Sequence, residues 1–425
     1  YITKVNENLL NDPLTYSFQL LNTPSYFLLE IFYDYPQLFF WSSFFVDLIF
    51  SIILFHLIYS FCKNYFLSLI IVMIFSPLFL AIFTKIFTDP GFRLIHVFGY
   101  GSYILSTRYV LGFASLFSIF FLFKKKYNYS IIFYSLSLMS HPSTALLLGL
   151  FLFITFFLIK LKFKYYINFL IGSLIGLSTI LVKLWKLESF DINVTLLSKK
   201  EWYLRLINDE PDDFSLLFLI SEKPYELMII VSIVTIISFY IFRSTNIDKI
   251  TKKILYSSLG LPIFFTIAFA IVELASSYFD NYFFIDPIIK TQAGNKILKF
   301  CNFPIIFSIA ILCKDKVFNI KLFQEFSSLY RIIILTSVII VPLSINYFNP
   351  VNFENKKILY KKLKTVEKNN FLAYLNARFF YYKDRTFGHQ TYFTKIIEEK
   401  PKIIQNETNF FKLKKYNNKL YEMDE

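Results

Sequence analysis

Four groups of polar residues in this sequence have types and spacings that suit phosphate binding or proton transfer. The first is Asn11-Asp12, near the start of the chain, with Glu30 and Asp34 further on. A carboxylate such as Asp12 can act as a general base, or it can hold Mg²⁺ or Mn²⁺ beside a phosphate. The alternative is a solvated loop carboxylate without such a role.

The second group is Thr88-Asp89-Pro90-Gly91-Phe92-Arg93, which is followed by Ser106-Thr107-Arg108 at the start of an apolar stretch. Arginine suits bidentate contact with phosphate, so Arg93 and Arg108, with Asp89 beside them, are candidates for binding an anionic substrate. The alternative for each arginine is an interfacial anchor whose guanidinium reaches the lipid headgroups.

The third group, Ser140-His141-Pro142-Ser143, forms a predicted turn between two short apolar helices. An imidazole here can transfer a proton near neutral pH or bind a phosphate. The alternative is a polar turn with proline as the helix breaker. We favour a functional role for His141, because the flanking helices are short for a membrane and the turn is therefore expected to fold into the protein.

The fourth group is Lys290-Thr291-Gln292-Ala293-Gly294-Asn295-Lys296, in which Lys296 is a candidate for binding an anionic group. A solvated outer loop is the alternative, and it fits this composition better.

Motifs of soluble enzymes are absent, including the P-loop, the dinucleotide fingerprint and the metalloprotease and hydrolase signatures. Three scattered cysteines have neither metal-ligand spacing nor a disulfide framework. The sequence therefore predicts no cysteine or histidine metal site and leaves only a divalent cation open as a cofactor. Five ionisable residues fall inside apolar segments without obvious pairing and trace no ion relay: Asp47, His56, Lys183, Glu273 and Lys299.

The composition is that of a membrane protein. Of the 425 residues, 56% are hydrophobic and 17% are charged, whereas soluble chains carry roughly 25% charged residues. The mean hydropathy is +0.51. Because the apolar residues come in blocks of roughly 15 to 25, which suits membrane helices better than core strands, we expect the membrane to be the solvent.

The predicted fold is an all-α, polytopic transmembrane bundle of about ten helices, some of them short or re-entrant. An outer-face loop with an interfacial helix (1–36) precedes the transmembrane domain (37–348), and a C-terminal extramembrane tail (349–425) follows it. Since the chain begins with Tyr1, we also expect residues before it, among them a further membrane helix. The expected spans are 37–61, 65–83, 108–123, 127–140, 143–159, 166–183, 225–242, 254–276, 299–313 and 331–347.

Loop charges predict the orientation. One set of loops is short and basic, and the alternate loops (84–107, 184–224 and 277–298) are longer and carry acids. The positive-inside rule makes the basic set cytoplasmic, which places the four polar groups and the tail on the outer face of the inner (plasma) membrane. The net charge of +14 is then explained by topology and by anionic membrane lipid as a partner, and nucleic-acid binding is not expected. The basic loops contain Lys63, Lys124, Lys125, Lys126, Lys160, Lys162, Lys164, Arg243, Lys249, Lys252, Lys253, Lys314, Lys316 and Lys321.

This layout resembles the GT-C class of membrane glycosyltransferases and its uncharacterised bacterial relatives, chiefly over residues 1–180. The features that carry the resemblance are the first loop with Asp12, the Thr107-Arg108 helix start and the His141-Pro142 helix pair. Asp12 follows Asn11 here, whereas many members of the class have paired acids in this loop.

The resemblance implies transfer of a sugar from a polyprenyl-phosphate donor to a cell-envelope acceptor at the outer face. Asp12 and His141 would be the catalytic residues, and Asp89, Arg93, Arg108 and Lys296 would bind substrate. The alternatives are an O-antigen or polysaccharide polymerase or ligase with 184–224 as its outer loop, a transporter or flippase of lipid-linked glycans, and a scaffold that acts through its basic tail.

Overall fold

The computed structural model describes part of the chain, and that part is mainly helical. The described residues are 36–74, 107–188, 200, 203, 215–222, 224–285, 297, 300–313, 332–334, 412–416 and 420–424. Within them lie ten helices and one pair of strands. The helices are α1 (Pro36–Cys62), α2 (Tyr65–Ile74), α3 (Thr107–Phe123), α4 (Tyr127–Ser140), α5 (Pro142–Ile159), α6 (Phe163–Glu188), α7 (Leu216–Glu222), α8 (Pro224–Arg243), α9 (Lys249–Tyr278) and α10 (Asn302–Leu312).

The prediction of an all-helical domain is confirmed for the described residues between 36 and 334. Every expected span from 37–61 to 299–313 contains a helix, and of the span 331–347 only residues 332–334 are described. The expected interfacial helix before residue 36 lies outside the described residues. Two features were not predicted, the short helix α7 and a strand pair in the tail. Strand β1 (Lys412–Tyr416) pairs antiparallel with β2 (Leu420–Asp424), with Lys412 opposite Asp424.

One helix of the described residues, α9, is both long and apolar enough to cross a membrane. It has 30 residues, and about 20 are needed to span roughly 30 Å of hydrocarbon. Shorter apolar helical stretches accompany it, at Leu48–Cys62, Val110–Phe123, Thr144–Ile159, Leu227–Arg243 and Asn302–Leu312.

Short turns make successive helices antiparallel, and small polar side chains join them. Helices α3 and α4 form a hairpin closed by residues 124–126. Ser118 Oγ donates to the Ser130 carbonyl oxygen at 2.9 Å, and the hydroxyls of Ser115 and Ser137 lie 3.3 Å apart. Helix α10 is largely buried, and Phe303 and Phe307 are completely enclosed.

The surface of the described helices carries many large apolar side chains. Exposed ones include Phe157 (69%), Phe163 (77%) and Phe242 (76%). The interior is mainly apolar, but it also encloses small hydroxyl side chains. Those at most 1% exposed include Ser51, Ser68, Ser115, Ser118, Ser130, Ser137, Thr144, Thr155, Thr266 and Ser308. Small polar residues at helix contacts let backbones approach closely and hydrogen-bond across the interface, as they do in membrane bundles.

Helix α6 packs closely on α4 through two glycines four residues apart. A Cβ on Gly176 would lie 2.8 Å from Leu138 Cβ, and one on Gly172 would lie 2.6 Å from Ser135 Oγ. Such approaches leave no room for a methyl group. The contact is therefore of the small-xxx-small type that brings membrane helices together.

The basic turns lie together at one end of the bundle. We call this end the lysine face and define it as residues 63, 124–126, 160–164 and 243–253. Lys63, Lys125 and Lys160 end helices with φ of 55°, 58° and 58°, the left-handed conformation usually given to glycine. Lysine ammoniums also contact the last carbonyls of three helices, where the helix dipole is negative. These contacts are Lys124 to Ser60 (3.1 Å), Lys253 to Leu158 (3.1 Å) and Lys252 to Phe242 (3.2 Å).

Candidate functional site

Most of the predicted site residues fall outside the described part of the chain. Asp12, Asp89, Arg93 and Lys296 lie there, so their roles stay predictions. Arg108 lies in the first turn of α3, and His141 forms the link between α4 and α5.

His141 occupies the turn predicted for it. Its backbone N–H donates to Ser137 at 2.9 Å and its carbonyl accepts from Ala145 at 3.0 Å, so it ends α4 and begins α5 at once. Pro142 is the first residue of α5, a position where the missing N–H removes no helical hydrogen bond. His141 is half-buried. The turn is therefore part of the packed bundle, at the end opposite the lysine face.

The α3–α4 register brings the start of α3 level with the His141 turn. Ser115 contacts Ser137, and Ser118 contacts Ser130. In each pair the two residues lie at similar distances along the chain before and after the hairpin turn. Continued for two more helical turns, this register puts the backbone of Arg108 at the level of the His141 turn. The structure thus places the backbones of these two predicted site residues at the same end of the bundle.

A buried carboxylate near the same end was not recognised as part of a site. Glu273, on α9, is 1% exposed. Its Oε1 accepts hydrogen bonds from the hydroxyls of Tyr203 and Ser215. Its Oε2 accepts from the backbone N–H groups of Leu216 and Leu217 at 2.9 and 3.1 Å. The expectation that Glu273 has no obvious partner is therefore wrong.

These four hydrogen bonds give Glu273 an anchoring role. A carboxylate group offers about four acceptor positions, and four donors occupy them here. The two amides belong to the first residues of α7, whose N-terminal N–H groups have no partners within the helix. Glu273 therefore caps α7 and holds residues 215–222 against α9. A carboxylate whose acceptor positions are all occupied is not suited to act as a general base.

Tyr203 brings a second stretch of the 184–224 loop onto α9. Burial raises the pKa of the Tyr203 hydroxyl well above its usual value, and the charge of Glu273 adds to the rise, so Tyr203 stays protonated and donates. The Tyr203 and Tyr282 rings lie 5.5 Å apart. Beside them Lys200 Nζ and Asp280 Oδ1 form an exposed ion pair at 2.7 Å. The loop expected on the outer face is thus fixed to α9 and the residues after it at three positions.

The sequence did contain a signal for this anchor. Glu273 is the one acid within an otherwise apolar stretch of α9, and a buried carboxylate requires donors. Its donors lie 58 and 70 residues earlier in the chain, at Ser215 and Tyr203, so their identity could not be read from the local pattern.

Among the described residues, no group of three histidine, cysteine or carboxylate side chains could hold a metal ion. The divalent cation suggested for Asp12 falls outside the described residues. No family model matches the chain, and neither a curated protein nor a solved structure is significantly similar to it.

Proposed function

We propose that this chain is a multi-pass protein of the inner (plasma) membrane, with its lysine face in the cytoplasm. The observation that carries the proposal is the set of large apolar side chains exposed on the outside of the bundle, around an apolar interior that also encloses serine and threonine hydroxyls. In water such side chains would favour association, because large exposed apolar patches are rare on soluble monomers. In a bilayer the same surface meets lipid tails.

Helix length and charge support the same arrangement. By length alone, helices α1, α6 and α8, with 27, 26 and 20 residues, also reach across about 30 Å of hydrocarbon. The described basic turns lie at one end of the bundle, as the positive-inside rule requires of cytoplasmic turns. The end that holds the Arg108 backbone and His141 then faces outward.

At this outer end we propose a glycosyltransferase site. The acceptor hydroxyl would lose its proton to Asp12 and attack the anomeric carbon of a polyprenyl-phosphate sugar. The bond between that carbon and the phosphate oxygen would break, and the phosphate would leave with the electron pair, with inversion at the sugar. The phosphate would be bound by Arg93, Arg108 and Lys296. Asp89 would also bind the substrate, and His141 would transfer a proton. The level placement of Arg108 and His141 supports this assignment.

Sugar transfer in membranes is the direct test. Membranes holding the full chain would be given radiolabelled polyprenyl-phosphate sugar and an envelope-lipid acceptor fraction. We expect Asp12→Asn, Arg108→Ala and His141→Ala each to lower the transfer rate at least about 100-fold, within the range that catalytic acid–base and electrostatic groups contribute.

Two matched variants control for loss of folding. Arg243→Ala removes an arginine from the lysine face, and His56→Ala removes an exposed histidine from the flank of α1. Both should keep the wild-type rate. Equal rates for Arg108→Ala and Arg243→Ala would contradict the phosphate-binding role.

A polymerase or ligase of lipid-linked glycans is the second candidate, and the docked outer loop favours it. Such an enzyme requires an ordered outer loop, and Tyr203, Ser215 and α7 are fixed to α9 by Glu273. A deletion strain that accumulates single lipid-linked repeat units, with each unit fully glycosylated, would support this candidate over a transferase.

A further inference from the structure

We propose that the lysine face binds the headgroup of an anionic phospholipid in the cytoplasmic leaflet. The proposal rests on the multi-pass orientation given above and is independent of the transferase reaction. It concerns three basic turns, residues 124–126, 160–164 and 243–253.

The three turns contact one another and form one surface. The first and third are joined by Lys125 Nζ and Asp248 Oδ1, which lie 2.8 Å apart. The second and third are joined by Lys253 Nζ, which donates to the Leu158 carbonyl at 3.1 Å. Beside the first and second, the rings of Tyr127 and Tyr165 lie 5.4 Å apart. Cations that are distant in sequence are thereby brought together.

Part of this charge is already compensated within the protein. The ammoniums of Lys124, Lys252 and Lys253 contact helix carbonyls, and Lys125 pairs with Asp248. The rest is not balanced by carboxylates of the described residues. The exposed cations without such a carboxylate partner are Lys126, Lys160, Lys162, Lys164, Arg243 and Lys249. Clustered like charges repel one another, so a bound anion would stabilise this surface.

The apolar surroundings identify the anion as a lipid. Phe157, Leu158 and Phe163 are exposed within a turn of Lys160 and Lys162, as Phe242 is beside the third turn. A phosphate among the lysines would therefore have its acyl chains against these side chains. A nucleic acid or an acidic soluble protein would leave them in water. Basic clusters at the cytoplasmic ends of membrane helices bind anionic headgroups by this combination.

The test measures lipid binding by the full chain in detergent. Purified protein would be titrated with phosphatidylglycerol or cardiolipin, with phosphatidylcholine as the uncharged reference, and bound lipid counted by native mass spectrometry. The variant Lys160→Gln/Lys162→Gln/Lys164→Gln should weaken anionic lipid binding at least about tenfold, since each lysine near a charged surface contributes severalfold. Phosphatidylcholine binding should stay unchanged.

Two further variants separate charge from folding. Replacing the same three lysines by arginine keeps the charge and should keep the binding. Replacing Lys361, Lys362 and Lys364 of the tail by glutamine removes equal charge elsewhere and should also keep it. If the glutamine variant of the second turn does not fold, the wild type still tests the proposal, because binding should fall steeply between 50 and 500 mM salt.

Equal binding by the second-turn and tail variants would overturn the proposal, as would binding insensitive to salt. Preference for an oligonucleotide over phosphatidylglycerol in competition would overturn it as well and identify the surface as a nucleic-acid site. Because sugar transfer is assayed separately, its failure would not affect this result.

Discussion

At the scale of single residues, the attachment of the described part of the outer loop depends mainly on the hydrogen bonds to the buried carboxylate of Glu273. Four donors converge on it, two of them backbone amides of α7. Removing one partner of a buried polar group leaves the others without hydrogen bonds, which costs more than the bond contributes when made. Glu273 should therefore be more sensitive to substitution than its apolar neighbours on α9.

We expect Glu273→Ala to lower the free energy of unfolding in detergent micelles by about 3 kcal/mol or more. Trypsin should also cleave after Lys200 faster than in the wild type, because the loop loses its anchor. The adjacent and exposed Leu274 supplies the control, since Leu274→Ala removes no buried partner. Equal stability of the two variants would show that the loop is held by other contacts.

At the lysine face, Asp248 makes a pH-dependent contribution to the stability of the fold. Partial burial raises the pKa of Asp248, but hydrogen bonds from Lys125 and Thr251 outweigh this and hold the pKa well below its usual value. A depressed folded-state pKa contributes stability that is present above the unfolded value of about 3.9 and is lost as the pH falls through the folded value. The ion pair is exposed, so solvent screening limits the effect to about 1 kcal/mol or less.

Asp248→Asn separates the charge from the helix cap, because asparagine also caps helices well. Below pH 5 the wild type should lose stability with falling pH more steeply than the variant. Unfolding midpoints measured at steps between pH 6 and pH 3 would show the difference. If the unfolding midpoints of the wild type and the variant changed with pH in parallel, the pairing of Asp248 with Lys125 would contribute nothing to folding stability.

At the scale of helices, the contact of α6 with α4 depends on the absence of side chains. A Cβ on Gly176 would meet Leu138 Cβ at 2.8 Å, and a Cβ cannot rotate away. Gly176→Ala should therefore force the helices apart and destabilise the protein by about 1–3 kcal/mol.

Gly260, on α9, is a matched control, because nothing lies within 4 Å of a Cβ added there. Gly260→Ala should leave the stability unchanged or raise it by up to about 1 kcal/mol, since alanine is the better helix former. Equal losses for both substitutions, measured by denaturant titration in micelles, would contradict close packing at Gly176.

The helices could be predicted from the sequence because each is a long apolar run, and the turns because lysine, proline or an Asx residue interrupts those runs. Asp248 before α9 and Pro142 in α5 are examples of such local signals. The hydrogen-bond donors to Glu273 could not be predicted, because they lie in a loop that is distant in sequence and reaches Glu273 only through tertiary packing. Helix α7 was missed because seven residues show too little periodicity. Of the predicted site, the level placement of Arg108 and His141 follows from the helix hairpin, while Asp12, Asp89, Arg93 and Lys296 stay predictions.

At the scale of the whole molecule, the described helices form a bundle with basic turns at one end and an apolar flank. The lysine face would anchor the protein to anionic lipid, and the opposite end would hold the substrate site. Both proposals require the three helices between residues 127 and 188 to cross the membrane in succession. A chain that crossed only at α9 would instead leave those residues on one side.

The most direct test is labelling of single cysteines in intact cells with a membrane-impermeant thiol reagent, in a chain whose Cys62, Cys301 and Cys313 are replaced by alanine. We predict that cysteines at His141 and Asn281 react from outside, and that those at Lys63 and Lys162 react only after the membrane is permeabilised. Reaction of the His141 and Lys162 positions from the same side would contradict the multi-pass arrangement. Reaction of Lys162 from outside and His141 only after permeabilisation would invert the bundle and contradict the outer-face transferase.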